Sequence, residues 1–341
     1  MNFLRIDGEF GEGGGQIIRT AITLSCITKK PIMIENIRKN RKIPGLKAQH
    51  LTAIKILQKI CNAEVEGAKI GSTSLKFTPG NVKSCNLIED VGTAGSISLI
   101  SQVLIPAVGI CKKKLNLTIK GGTDALWSPT IDYTQYVLRE AYSRMGINFS
   151  IKLIKRGYYP KGGGQIKLSV EPSNVNAISL IERKTKNVNL ICSFSNLPSE
   201  LIKKNIEGIV KQLTEKKFIV KSQINEENAI DSGATLLIFS VDQESIIGID
   251  SIFDKKTERF DLDLQSFMEN NLGVDERLAD MLVLPASLTN NMTIFRVSNI
   301  SKHLETNLFV TSKITGCKYG VGKLSNGFEV RIEGVSNTSI K

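Results

Sequence analysis

The chain has 341 residues, 41% hydrophobic and 23% charged, so it can bury a sizeable core and is long for one simple domain. Forty-five Lys and Arg against 33 Asp and Glu give a formal charge of +12, which favours a polyanionic partner, while aromatics at 6% argue against broad stacking platforms. No apolar run approaches the roughly 20 residues that span a bilayer, no secretory signal precedes the first strand, and Cys26, Cys61, Cys85, Cys111, Cys192 and Cys317 lack C-x-x-C spacing, which excludes a membrane protein, structural zinc and a disulfide framework and implies a cytoplasmic one.

Phe3 to Asp7 reads as a short strand and runs into Gly11-Glu12-Gly13-Gly14-Gly15-Gln16-Ile17-Ile18-Arg19, with an apolar helical run over Ile17 to Ile27. A glycine bend opening a helix brings backbone N–H groups and the positive helix end close to a phosphate. Glu12 would repel that phosphate unless a divalent cation lay between them, so the segment points to a metal-nucleotide. It is neither the dinucleotide fingerprint nor the P-loop, and a plain tight turn is the alternative. Arg38, Arg41 and Lys42 fall in the loop before Gly45, where bidentate arginine suits a terminal phosphate and solvated charge is the other reading.

Leu46 to Cys61 reads as a helix, followed by strands at Ala63 to Val65 and Ser74 to Pro79. The same order recurs with Tyr133 to Met145, Ile147 to Leu153 and Gln165 to Val170, and again with His303 to Ser312, Cys317 to Val321 and Glu329 to Gly334. The simplest account is an α+β architecture of three β-α-β-α-β-β units of about 80 residues, with helices on one face of small mixed sheets and a shared helical centre. From about Thr185 to Phe267 a separate βαβ-like pattern intervenes: Val188 to Phe194, a helix from Ser199 to Leu213 started behind Pro198, then Thr235 to Val241 pairing with Ile246 to Asp250. The expected domains are therefore 1–184 with 268–341, and an inserted small α/β domain at 185–267.

A second glycine string, Arg156 to Ile166, leads into a strand rather than a helix, so its role should differ: Glu12 acts on the ligand, and Gly162 to Gly164 form a bend or bulge. Only two histidines occur, His50 and His303. Ser301 is a good N-cap, placing His303 in a first helical turn where the positive helix end keeps the imidazole neutral and nucleophilic and the free donors hold a phosphate. His50 precedes Leu51, Ile54 and Leu57 and reads either as a ligand contact or as a core-facing residue. Asp124 either serves the site or caps a turn.

Arg156 to Ile166 fits R-G-x-x-P-x-G-G-G-x-[LIV], and with Gly11 to Gln16 it makes the chain resemble the RNA 3'-terminal phosphate cyclases. Ile37 to Leu51, Gly121 to Asp124, Leu278 to Pro285 and Ser301 to Asn307 resemble further blocks of that family in the same order. The resemblance implies repeats similar to the C-terminal domain of translation initiation factor three, with the small insert. It also implies the reaction: His303 attacks the α-phosphorus of ATP to give histidyl-AMP, AMP passes to an RNA 3'-phosphate, and the 2'-hydroxyl closes a 2',3'-cyclic phosphodiester.

The roles it implies are Glu12, Gln102, Pro129, Arg277, Asp280 and His303 around ATP, Glu12 on Mg²⁺ or Mn²⁺, and Arg19, Arg38, Arg41, Gln49 and His50 on the RNA phosphate. Arg277 stands where bacterial relatives have an aromatic residue, Met281 replaces a polar neighbour of Asp280, and Ala48 replaces a basic residue. RNA with a 3'-terminal phosphate and ATP are the expected partners; a homodimer is left open. Two other readings compete. A non-catalytic cyclase-like RNA-processing factor would lack the histidine, and an enolpyruvyl transferase would lack the second glycine block.

Overall fold

A computed structural model describes residues 2–335. The chain opens with β1 (Leu4–Asp7), α1 (Gly15–Thr28), β2 (Ile32–Glu35), α2 (Ala48–Cys61), β3 (Glu64–Glu66) and β4 (Leu75–Thr78). Their sheet has the order β1-β2-β4-β3, with β1 parallel to β2 and the other pairs antiparallel. A parallel pair needs a crossover, and α1 supplies it. Small and aliphatic residues surround α1 on all sides, so it is buried almost throughout. It packs against α2 and against two helices from later in the chain.

The second unit comprises β5 (Cys85–Asp90), α3 (Ile97–Ile110), β6 (Leu115–Gly121), a π-helical stretch Tyr133–Leu138 running into α4 (Arg139–Arg144), β7 (Phe149–Lys155) and β8 (Gly164–Val170). Its sheet order is β5-β6-β8-β7, again with the first pair parallel. After β9 (Ser179–Leu180) come β10 (Asn187–Ser195), α5 (Ser199–Glu215), β11 (Ile219–Glu226), β12 (Gly233–Val241), β13 (Ile246–Asp254), β14 (Arg259–Phe260) and α6 (Leu264–Glu269). They build a five-stranded sheet, β11-β10-β12-β13-β14.

Both faces of that sheet are covered. Leu190, Cys192, Leu236 and Ile238 pack with Ile202, Ile206 and Leu213 of α5, while Ile191, Leu237 and Phe239 join the main core. Phe239 stacks on Tyr136 with ring centroids 5.6 Å apart. The edge strand β11, parallel to β10, was not foreseen, because its residues are mostly exposed and lack apolar alternation.

The chain then returns through α7 (Glu276–Ala286), β15 (Met292–Val297), α8 (Lys302–Thr315), β16 (Lys318–Leu324) and β17 (Gly327–Glu333). Their sheet, β16-β17-β15-β9, repeats the strand order and pairing of the first two, with β9 parallel to β15. Three four-stranded sheets thus share one topology, and α1 touches helices from all three.

In the second glycine string the glycines shape the backbone. Gly162 and Gly163 have φ of +68° and +66° and form a left-handed bend, while the register irregularity lies in β7 between Leu153 and Lys155. Arg156 is 1% exposed and meets Asp124 at 3.2 Å, Asp132 at 2.8 Å and Glu227 at 2.7 Å. Ser193 Oγ also accepts from it at 2.9 Å. The guanidinium therefore joins the second unit to the five-stranded sheet. Asp124 further accepts from the Ile131 N–H, so it holds this knot and the following turn together.

Candidate active site

The N-termini of α1 and α8 converge on one cleft. Gly11 and Gly13 take φ of +57° and +59°, which turns the loop before α1 back on itself. The loop is fastened to α8: the Glu12 N–H donates to Thr306 Oγ1 at 3.0 Å, and that hydroxyl donates to the Lys302 carbonyl at 2.6 Å. A side chain on Gly14 would collide with the Glu12 carboxylate, and one on Gly15 with His50. Those two glycines let a carboxylate and an imidazole close in on the start of α1, which carries no side-chain cap.

α8 starts where the sequence places it: Ser301 Oγ accepts from the Leu304 N–H at 3.1 Å, putting His303 in the first turn. His303 Nδ1 lies 3.5 Å from Glu12 Oε2, and its side chain is 51% exposed. The other Glu12 oxygen pairs with Arg41. Burial, followed by the positive charges of Arg19, Arg41 and Arg277, lowers the His303 pKa below its ordinary value, so the imidazole is neutral at pH 7. The sequence reading assigned this effect to the helix end; burial and three guanidinium groups act in the same direction.

Three buried polar atoms here lack a hydrogen-bond partner: Glu12 Oε2, Arg19 Nε and Asp280 Oδ1. Unpaired buried groups are costly, and ligand sites are where such a cost is retained. Burial pushes the Asp280 carboxyl up to about 6, against the opposing pull of Arg19 and Asn307. Arg19, itself lowered to about 10 by burial, also pairs with Gln16. Asn307 Nδ2 donates to the Asp280 carbonyl at 2.8 Å, and Thr20 donates to Asn307 Oδ1 at 2.6 Å, locking α1, α7 and α8 together. Beneath them Gln102 and Met281 line a cavity of about 20 Å³, room for a water and not for a base.

Arg277 is held by Asp250 of β13 at 2.5 Å and lies 5.4 Å from the Tyr133 ring centroid. Pro129 is buried in the neighbouring loop, which Asp250 ties down by accepting from the Thr130 N–H at 2.7 Å. Of the five residues expected on an RNA phosphate, Arg19 and Arg41 act on the His303 site electrostatically. Arg38 is buried and donates to the Gly45 carbonyl at 2.8 Å, and Gln49 Oε1 accepts from the Ser96 N–H at 3.1 Å. His50 Nδ1 accepts from the Lys47 N–H at 3.1 Å, so Nε2 carries the proton and faces the start of α1. Burial and the charges of Arg19, Arg38 and Lys47 lower its pKa to about 3, making it a neutral donor.

Thr306, Asn307 and Asp250 were missed in the sequence. Thr306 and Asn307 stood inside the quoted histidine block, three and four residues beyond His303 and so on its side of α8. Asp250 gave no local signal. For a divalent cation, Glu12 Oε2, the oxygen facing His303, offers one buried carboxylate oxygen without a hydrogen bond, and no cluster of three ligating side chains exists among the described residues. That donor set suits an ion held by one carboxylate and the ligand's own phosphates.

The family model for RNA 3'-terminal phosphate cyclase matches residues 10–321. Relatives of that name include proteins of Methanosarcina barkeri, 38% identical over 96% of this chain and 99% of theirs, and Sulfolobus acidocaldarius, 38% identical over 97% and 100%. The Pyrobaculum aerophilum protein is 36% identical over 97% of this chain and 98% of its own. The similarity runs through both glycine strings, the five-stranded sheet and the His303 helix, and the chain belongs to the RNA 3'-terminal phosphate cyclase family.

Proposed function

We propose that the chain converts an RNA 3'-terminal phosphate to a 2',3'-cyclic phosphodiester at the expense of ATP, with His303 as nucleophile. The observation that carries this reading is the neutral, solvent-facing imidazole whose Nδ1 sits 3.5 Å from Glu12, leaving Nε2 free to attack. Nε2 forms a bond to the α-phosphorus of ATP as the bond to pyrophosphate breaks. An oxygen of the RNA 3'-phosphate then displaces the imidazole, and the 2'-hydroxyl attacks the RNA phosphorus, expelling AMP and losing its proton. Covalent transfer makes sense because a phosphate monoester is a poor electrophile until one oxygen becomes a leaving group.

Glu12 Oε2 faces the imidazole Nδ1 at 3.5 Å, and the same oxygen would hold Mg²⁺ or Mn²⁺, which would neutralise triphosphate charge. Asp280, Pro129 and Arg277 would address the base, with Arg277 held by Asp250, and Gln102 would back them from the small cavity it shares with Met281. Arg19 and Arg41 meet the RNA phosphate beside the His50 N–H, while Arg38 and Gln49 position the loop and helix that present them. We read the body as three repeats, 1–184 and 268–341, with 185–267 inserted, and the protein as cytoplasmic; no helix among the described residues is long and apolar enough to cross a membrane.

The test is incubation with α-labelled ATP and Mg²⁺. Acid-labile, alkali-stable label, lost in His303→Ala, is the expected result. Label that survives the substitution would reassign the nucleophile, and no label on nucleotide-free wild type would leave a non-catalytic RNA-binding role.

A further inference from the structure

The chain's single tryptophan is almost fully exposed. Trp127 is 96% exposed, has no ring or cation–π partner among the described residues, and holds φ at +60°, a conformation that a bulky side chain rarely adopts. Leu126 beside it is 61% exposed, and Tyr159, on the next loop, is 74% exposed.

Both loops leave the same end of the second sheet, where Gly121 of β6 pairs with Gly164 of β8. They are joined at their bases: the Thr123 N–H donates to the Gly157 carbonyl at 3.0 Å, and the Gly157 N–H to Thr123 Oγ1 at 2.9 Å. On one flank, Gly162 lies against Ala94, and Gly95 against Gln49, at the start of α2. On the other flank, the Thr130 N–H is held by Asp250, which pairs with Arg277, one of the cations acting on His303. The loops that carry the two rings are therefore joined towards Gln49 on one side and towards Arg277 on the other. Lys161 adjoins Tyr159, is exposed, and has no ion pair among the described residues; the nearby Asp231 carboxylate accepts from the Lys161 backbone N–H at 2.9 Å.

We propose that Trp127 and Tyr159 are stacking platforms for the bases of the RNA strand just upstream of its 3' end, with Lys161 beside the backbone. The assignment rests on the proposed function, since the cleft between Gln49 and Arg277 must receive the terminal phosphate. An aromatic face and a cation along a single-stranded track bind nucleotides with little regard for sequence. The net charge of +12 favours the same occupant.

Trp127 is its own reporter. Titration with a 3'-phosphorylated hexanucleotide should quench its fluorescence, and ATP alone should not. Trp127→Ala and Tyr159→Ala should each raise KM for that RNA by on the order of tenfold, with little change in kcat and in the rate of AMP transfer to His303, a step in which no RNA takes part. RNA made abasic at its second and third positions from the end should bind the wild type as weakly as intact RNA binds the variants. An unchanged KM in both variants overturns the proposal. Quenching by ATP without RNA also overturns it and assigns Trp127 to the adenine. If the wild type takes up no AMP, the proposed function fails, and the fluorescence titration still decides whether RNA reaches Trp127.

Discussion

Two glycine-rich strings in this chain place charged groups in buried surroundings and use them in opposite ways. Behind the second string, the Arg156 guanidinium meets Asp124, Asp132, Glu227 and Ser193. Behind the first, Glu12, Arg19 and Asp280 each keep a buried atom without a partner around a half-exposed imidazole. A saturated cluster fixes the relation between two parts of the fold; an unsaturated one retains an interaction for a ligand to complete. Similar strings thus back a closed ion cluster in one place and an open one in the other.

The comparison breaks most visibly on substitution. Arg156→Met should destabilise the fold by about 3–5 kcal/mol in urea unfolding, because it strands buried carboxylates without their cation. His303→Ala should abolish AMP labelling while shifting stability by less than about 0.5 kcal/mol, since its side chain is half-exposed. A stable, inactive Arg156→Met protein would place the knot in the active site instead.

The Arg156 variant carries a pH signature. Asp132 is already raised to about 6 by burial, against the pull of Arg156, and loss of that cation raises it further. The folded state then binds more protons than the unfolded chain between the ordinary carboxylate range and neutrality, so stability falls as pH rises through that window. Arg156→Met should accordingly be less destabilised at pH 5.5 than at pH 8, as unfolding midpoints at the two values will show.

How much of this was legible in the sequence follows from range. The Ser301 cap, the His303 turn, the glycine bends and the recurring helix–strand order are local patterns, and the structure places each within about three residues of the reading. Asp250 reached Arg277 unannounced because an ion pair between a strand of the five-stranded sheet and a later helix leaves no periodicity. The carboxylates on Arg156 come from positions 124, 132 and 227, gathered only by the tertiary fold. The edge strand β11 lacked apolar alternation because water covers most of it. Low aromatic content argued against stacking, yet composition says nothing about where a lone tryptophan points.

A subtler test concerns the charges that keep His303 deprotonated. AMP transfer at saturating ATP should be flat across pH 7 and fall only below the ordinary imidazole range, because burial, Arg19, Arg41 and Arg277 all depress the pKa. Arg41→Ala removes one of those charges, and the acid limb should move to higher pH. Asp280, near 6, confuses such a profile. On the proposed role of Asp280 at the nucleotide, its protonation should appear in KM for ATP and drop out at saturation. A limb unmoved in Arg41→Ala at saturating ATP would mean that the limiting ionisation is not that of His303.

The smallest expected effect is at Thr306. Its hydroxyl accepts from the Glu12 N–H at 3.0 Å and donates to the Lys302 carbonyl at 2.6 Å, so one oxygen anchors the glycine loop to the histidine helix. Thr306→Val keeps the shape and removes both bonds, at a cost of about 1–2 kcal/mol in stability. If the anchor serves chemistry as well, the loop holding Glu12 will drift from His303 Nδ1, and AMP transfer should slow by about tenfold, as misplaced catalytic groups do. The decisive readout is the double variant with Glu12→Gln. With Glu12 already disabled, loss of the anchor should cost little further rate, whereas fully additive losses would confine Thr306 to holding the fold.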